Sequence, residues 1–202
     1  ILLDDHSDLA FSADLGTDRI SIYRLDAKAG KLGILGEASL KPGAGPRHIA
    51  IHPNGKLLYV INELDSTITS FRFDRAGAKL SSPDSVSTLP ADFSGKSYCA
   101  DIHIHPNGRF LYGSNRGHNS IAVFAINPTD GKLSLIQHQS TLGNWPRNFA
   151  LDPSGKFLLV ANQNSGNIAS LAIDQQTGKL SETRFNLEIP APVCVKFMPF
   201  KF

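Results

Sequence analysis

Residues 46–71 read PRHIAIHPNGKLLYVINELDSTITSF. The same pattern returns without gaps as CADIHIHPNGRFLYGSNRGHNSIAVF (99–124) and PRNFALDPSGKFLLVANQNSGNIASL (146–171). A copy shortened at its front, DLAFSADLGTDRISIY, occupies 8–23. Two independent sets of markers measure the repeat. Asp14, Asn62, Asn115 and Asn162 are separated by 48, 53 and 47 residues, and so are Lys31, Lys79, Lys132 and Lys179, each followed by Leu. A period in this range marks a solenoid, an array or a propeller.

Each repeat has room for four strands. The first is a short alternating run at 48–52, 101–105 or 148–152, closed by Pro53-Asn54-Gly55, Pro106-Asn107-Gly108 or Pro153-Ser154-Gly155. Pro presets φ, and Asn and Gly tolerate positive φ, so these are hairpin turns. The second strand is apolar (LLYVIN, FLYGSN, FLLVAN), as in a strand covered on both faces. A third follows (TITSFRF, SIAVFAI, NIASLAI), and a weaker fourth begins at Leu32, Leu80, Leu133 and Leu180. No stretch of ten residues carries a helical period. The fold class is therefore all-β, a β-propeller of four-stranded antiparallel blades.

A blade needs neighbours on both faces, and a ring must close to hide its ends. The chain divides into a partial blade at 1–45, blades at 46–98, 99–145 and 146–190, and the first strand of a further blade at 191–202, around APVCVKF (191–197). The expectation is a single propeller segment of about four blades from a larger ring. Seven blades of this size need roughly 340 residues, within the usual range of blade numbers.

Composition narrows the function. The chain has 202 residues, 20 Lys+Arg against 18 Asp+Glu, 41% hydrophobic and 19% charged residues. That is a globular balance with no basic field for nucleic acid and no apolar run long enough for a membrane helix. The opening residues ILLDDHSDLAFSAD lack a basic n-region and a small-residue cleavage site, which points to the cytoplasm. Cys99 and Cys194 have no CxxC or CxxH spacing and read as free thiols.

Strand order fixes which loops share an end. The loop before the first strand and the loop after the second lie together, and there the blades differ. One contributes Arg47, His48 and Glu63, the next Asp101 and Arg116, the third Arg147, Asn148 and Gln163. The opposite end carries the same Pro-Asn-Gly and Gly-Lys-Leu turns in every repeat. Varied polar residues at equivalent positions around one channel mouth are the pattern of a site built from several blades. The extra residues of the long repeat fall in 81–98, on this same end, and are a candidate lid. His48, beside Arg47 and expected to face Glu63, is a candidate general base. His52 and His105 belong to the scaffold turns, His103 is read as packed or channel-lining, and no zinc set is expected.

The segment GAGPRHIAIHPNGKLLYVINELDSTITSF (43–71), with CADIHIHPNGRFLYGSNR (99–116) and NWPRNFALDPSGKFLLVANQ (144–163), resembles the bacterial 6-phosphogluconolactonases of the seven-bladed propeller type. FLLVANQNSGNIAS also looks like the YVTN-type propeller repeat. Fungal carboxymuconate lactonizing enzymes are similar, and their catalytic His, two Arg and Glu would map here onto Arg47, Glu63 and Arg116, with the His ahead of Ile1. The resemblance implies hydrolysis of a sugar lactone, 6-phosphogluconolactone first, as a step of carbohydrate metabolism in the pentose phosphate pathway, with no metal and no cofactor. Lactone opening needs a base for water and donors for the oxyanion, and a phosphorylated sugar needs arginines. On that basis Glu63 or His48 is the base, Arg47 steadies the oxyanion, and Arg116 and Arg147 take phosphate. Asp101, Asn148 and Gln163 complete a substrate-binding set for a small phosphorylated sugar lactone, with neither nucleic acid nor membrane as partner. Two alternatives stand beside it: a muconate-type lactonizing cycloisomerase in the same pocket, and a non-enzymatic propeller binding module. Trp145 and Phe93 are the aromatics a binding module would use.

Overall fold

The computed structural model describes residues 1–198 and holds four sheets of four antiparallel strands each. Sheet one comprises β1 (Leu2–Leu3), β2 (Leu9–Asp14), β3 (Arg19–Asp26) and β4 (Lys31–Ser39). Sheet two comprises β5 (Pro46–Ile51), β6 (Leu57–Asn62), β7 (Thr67–Asp74) and β8 (Lys79–Ser87). Sheet three follows with β9 (Tyr98–Ile104), β10 (Phe110–Arg116), β11 (Ser120–Ile126) and β12 (Leu133–Ser140). Sheet four has β13 (Pro146–Leu151), β14 (Phe157–Asn162), β15 (Asn167–Ile173) and β16 (Leu180–Glu188). Each sheet is a meander in chain order, and each packs on the next through its inner strands. Among the described residues no helix forms, and so none is long and apolar enough to cross a membrane.

The second strands are mainly apolar because both their faces are covered: every residue of β6 and β10 is buried. Three cores fill the gaps between successive sheets. Phe11, Val60 and Phe73 lie between sheets one and two; Tyr59, Ile102 and Phe124 between two and three; Tyr112, Phe149 and Leu171 between three and four. The buried tyrosines tie blades together, since Tyr59 Oη donates to Gly131 O (2.9 Å) and Tyr112 Oη to Gly178 O (3.0 Å).

In sheets three and four the asparagine that marks the repeat is a clasp: Asn115 Nδ2 donates to Thr88 O (2.9 Å) and Asn162 Nδ2 to Thr141 O (2.8 Å), holding the entering chain against the second strand, whereas Asn62 Nδ2 donates to Thr67 and Thr69 Oγ1. At the other end His52 Nε2 bonds Gly108 O (2.8 Å) and His105 Nε2 bonds Gly155 O (2.9 Å). These histidines fasten one Pro-Asn-Gly or Pro-Ser-Gly turn to the next, where Gly108 and Gly155 have φ of 73° and 70° and a Cβ would strike the imidazole.

Among the described residues, 191–198 are not paired as a strand, and the Val195 N–H donates to Asn148 Oδ1 (2.7 Å) on the inner strand of sheet four. The rest of the expected strand, residues 199–202, lies outside the described residues. The candidate lid is shorter than 81–98: residues 79–87 are β8, leaving 88–97 as the loop. That loop is pinned, with Phe93 edge-on to His118 (4.8 Å) and His138 Nε2 bonded to Thr88 O (2.9 Å).

Candidate active site

The heads of the inner strands β5, β9 and β13 are bulged, and the bulge builds the site. In β5, Pro46 pairs with Asn62 and His48 with Ile61, so Arg47 is an extra residue without a partner on β6. In β13, Pro146 pairs with Asn162 and Asn148 with Ala161, which makes Arg147 its counterpart. The shift recurs in β9 between Cys99 and Ile102, where Ala100 takes the arginine position. In a regular strand neighbouring side chains point to opposite faces; a bulge re-aims one of them. Arg47 and His48 can therefore both line one cavity.

That cavity, about 650 Å³ and open, runs along the inner strands and is walled by Arg47, His48, Asp101, His103 and Asn148, with the segment after β1 opposite. Its polar centre is Asp101, whose side chain is only 5% exposed. His48 Nδ1–H donates to Oδ1 (2.7 Å), and His103 Nε2–H donates to Oδ2 (3.2 Å). Both tautomers follow from the carboxylate, which can only accept. The Asn148 amide, the Phe149 N–H and the Ile102 N–H complete its shell. Burial would raise this carboxyl, but hydrogen bonds from His103 and His48 hold it well below the usual carboxylate range. With Nδ1 committed, His48 presents Nε2 as an acceptor; its side chain is 42% exposed.

Above this layer lies an ion cluster. Glu63 accepts from Arg47 Nη1 on Oε2 (2.9 Å) and from Arg116 Nη2 on Oε1 (2.8 Å). Burial would raise Glu63, yet the Arg116 and Arg47 guanidiniums keep it below its ordinary value. Arg116 is buried, also donates to Cys99 O (2.8 Å), and lies over the Trp145 ring (5.4 Å). Arg47 Nε donates to Ala100 O (2.9 Å), and desolvation pushes its own pKa down, with Arg116 and Arg147 adding like charge. Among the described residues no hydrogen bond or ion pair holds the Arg147 guanidinium or the Arg47 Nη2.

The geometry divides the expected site residues. Arg47, His48, Asp101 and Asn148 line the cavity; Glu63, Arg116, Arg147 and Gln163 do not. His48 does not face Glu63, as expected from the strand heads, because the bulge turns it inward to Asp101. Glu63 as the base is disfavoured, since both its oxygens are taken by cations. Arg116 is spent on Glu63 and two backbone carbonyls rather than free for a phosphate. Gln163 Oε1 is buried with no hydrogen-bond partner among the described residues. Trp145 and Phe93 are half-buried, one against Arg116 and the other edge-on to His118. His103, which the sequence marks as packed or channel-lining and not as a site residue, is on the cavity wall. The signal was available: its counterparts are Ala50 and Ala150, so the repeat has no structural need for an imidazole there.

Residues 1–197 match the family model described as lactonase, 7-bladed beta-propeller. The chain is 41% identical to a Bacillus subtilis 6-phosphogluconolactonase over 187 residues, 93% of this chain and 53% of that protein. It is 44% identical over 152 residues to a Formosa agariphila 6-phosphogluconolactonase, covering 72% of this chain and 42% of the other. Among solved structures, the Pseudomonas aeruginosa periplasmic gluconolactonase superposes with a TM-score of 0.90 at 31% identity, covering 98% of this chain and 56% of that one. A Lactobacillus plantarum protein superposes with a TM-score of 0.89 at 36% identity, covering 94% and 58%. The chain thus spans about half the length of the relatives it matches. It belongs to the lactonase family of seven-bladed β-propellers.

Proposed function

We propose that the protein to which this chain belongs hydrolyses a sugar δ-lactone, with 6-phosphogluconolactone as the leading substrate. One observation carries the reading: His48, its Nδ1–H fixed on buried Asp101, turns a bare Nε2 into a cavity that Arg47 also lines. Water held by His48 Nε2 loses a proton to it while attacking the lactone carbonyl carbon. The oxyanion develops beside the Arg47 guanidinium, whose Nη2 has no protein partner among the described residues. Glu63 holds Arg47 in place and keeps it from swinging away, a positioning role rather than that of base. The names of two curated relatives support the phosphorylated lactone.

Arg147 stands outside the cavity wall with no protein partner among the described residues, and it is the residue left to meet a phosphate that extends beyond the cavity, because Arg116 is committed. A phosphorylated sugar is an intracellular metabolite, so this substrate goes with the cytoplasm. The commitment of Arg116 and the periplasmic gluconolactonase among the relatives favour one second reading, unphosphorylated gluconolactone. Full-length protein assayed on freshly generated 6-phosphogluconolactone and on glucono-1,5-lactone, with background hydrolysis subtracted, separates the two. The leading reading expects at least tenfold higher kcat/KM on the phosphorylated lactone, and loss of that preference in Arg147→Ala. Equal rates on both move the substrate to gluconolactone, and no rate above background on either overturns the lactonase reading.

A further inference from the structure

His103 is held by the same carboxylate as His48, from the other oxygen and the deeper side. Asp101 sits at the strand position of His48 and Asn148, and His103 lies two residues farther along the same face of β9. Its Nε2–H is fixed on Asp101 Oδ2 (3.2 Å) and its ring stands edge-on to Phe149 (4.8 Å), while its side chain is 32% exposed to the cavity. Orientation is therefore set on two sides, and Nδ1 is the nitrogen left free. Ala50 and Ala150 fill the corresponding positions in the neighbouring blades without loss of the fold.

Lactone hydrolysis needs two proton transfers, one from the attacking water and one to the departing ring oxygen. His48 serves only the first. We propose that His103 is a second catalytic residue, the proton donor to the leaving ring oxygen, and this rests on the lactonase reading above. In the step, the water oxygen bonds to the carbonyl carbon and its proton passes to His48 Nε2. The bond from that carbon to the ring oxygen breaks, the electron pair stays on the oxygen, and His103 Nδ1–H protonates it. His103 enters turnover carrying protons on both ring nitrogens and ends neutral; His48 does the reverse. Asp101 offsets one positive charge throughout, on whichever histidine carries it. Solvent returns the proton from His48 to His103, and the released acid ionises in water. No co-reactant besides water is required.

An alkoxide leaves poorly without a proton, whereas a thiolate leaves without one, and that difference is the test. Full-length wild type, His103→Gln and His48→Gln are assayed on whichever of 6-phosphogluconolactone and glucono-1,5-lactone the wild type hydrolyses faster, and on the 5-thio analogue of that lactone. His103→Gln is expected to lose about 10²–10⁴-fold on the oxygen lactone, the range of a general acid, and less than tenfold on the thiolactone. His48→Gln is expected to lose activity on both. Equal losses on the two substrates in His103→Gln, or none, overturn the proposal while leaving the lactonase reading intact. Hydrolysis of neither lactone by wild type sinks both. Should His103→Gln fail to fold, His103→Asn is used in its place. The ring state is read independently of activity from imidazole ¹⁵N shifts: a His103 protonated on Nε2 as well as on Nδ1, with the Nε2 shift changing in Asp101→Asn, is expected, and a His103 with Nε2 unprotonated refutes the arrangement.

Discussion

Glu63 is the single anion between two guanidiniums, and its removal has a calculable consequence for stability. Arg116 has a side chain 5% exposed, Glu63 17% and Arg47 20%, so the cluster is largely desolvated. Removing one partner of a fully buried ion pair costs about 3–5 kcal/mol, because the other charge is left uncompensated. Partial exposure of Glu63 and Arg47, and the carbonyls that remain on Arg116, bring Glu63→Ala to the lower end, about 3 kcal/mol. Glu63→Gln keeps an acceptor oxygen and is expected at about 2 kcal/mol. The assay is urea denaturation of the full-length protein at unchanged m-value. In Glu63→Ala/Arg116→Met much of the loss returns, with a coupling energy of about 1–3 kcal/mol. The pH dependence has a definite sign. A carboxyl held below its unfolded value contributes stability that is fully present above that value, near 4.3, and is lost as pH falls through the folded one. The gap between wild type and Glu63→Gln is therefore constant above about pH 5 and closes below about pH 4. A Glu63→Ala variant within 0.5 kcal/mol of wild type, or a gap that widens on acidification, refutes the reasoning.

Arg47→Ala is expected to lower kcat about 10²–10³-fold on any substrate the protein hydrolyses, as for loss of one oxyanion donor; an unchanged kcat with raised KM would assign Arg47 to ground-state binding. Tyr112→Phe leaves the buried Gly178 carbonyl without its donor and is expected to lower stability by about 1–2 kcal/mol in the same urea titration, with activity retained. Burial pushes the Cys99 thiol up to about 12, so Cys99 is expected to resist a thiol reagent in the native protein and to react only on unfolding. Gly117→Ala meets the Lys96 carbonyl at a φ of 102° and is expected to destabilise the 88–97 loop, seen as faster proteolysis between β8 and β9.

The blade architecture was legible because it is periodic. Alternation in the first strand, the Pro-Asn-Gly turn, the apolar second strand and the recurring Asn and Gly-Lys-Leu markers all report local geometry, and all repeat. The site was legible only as a set of positions. Period-two reasoning would send Arg47 and His48 to opposite faces, and the bulge that brings both to the cavity leaves no mark in residue type. The pairing of His48 with Asp101 joins residues 53 apart on adjacent blades, and depends on how tightly the inner strands curve. His103 differed from its alanine counterparts, but its role depends on which oxygen of Asp101 it meets. Arg116, a surface-type residue by sequence, is buried because Glu63, two carbonyls and the Trp145 ring satisfy it.

The most direct test is lactone hydrolysis by full-length protein and by His48→Gln, measured side by side on freshly generated 6-phosphogluconolactone with the spontaneous rate subtracted. A wild-type rate well above background that falls about 10²–10⁴-fold in folded His48→Gln is the result predicted for a base oriented by Asp101. A folded His48→Gln enzyme that keeps the wild-type rate would contradict it and take the chemistry away from this cavity wall.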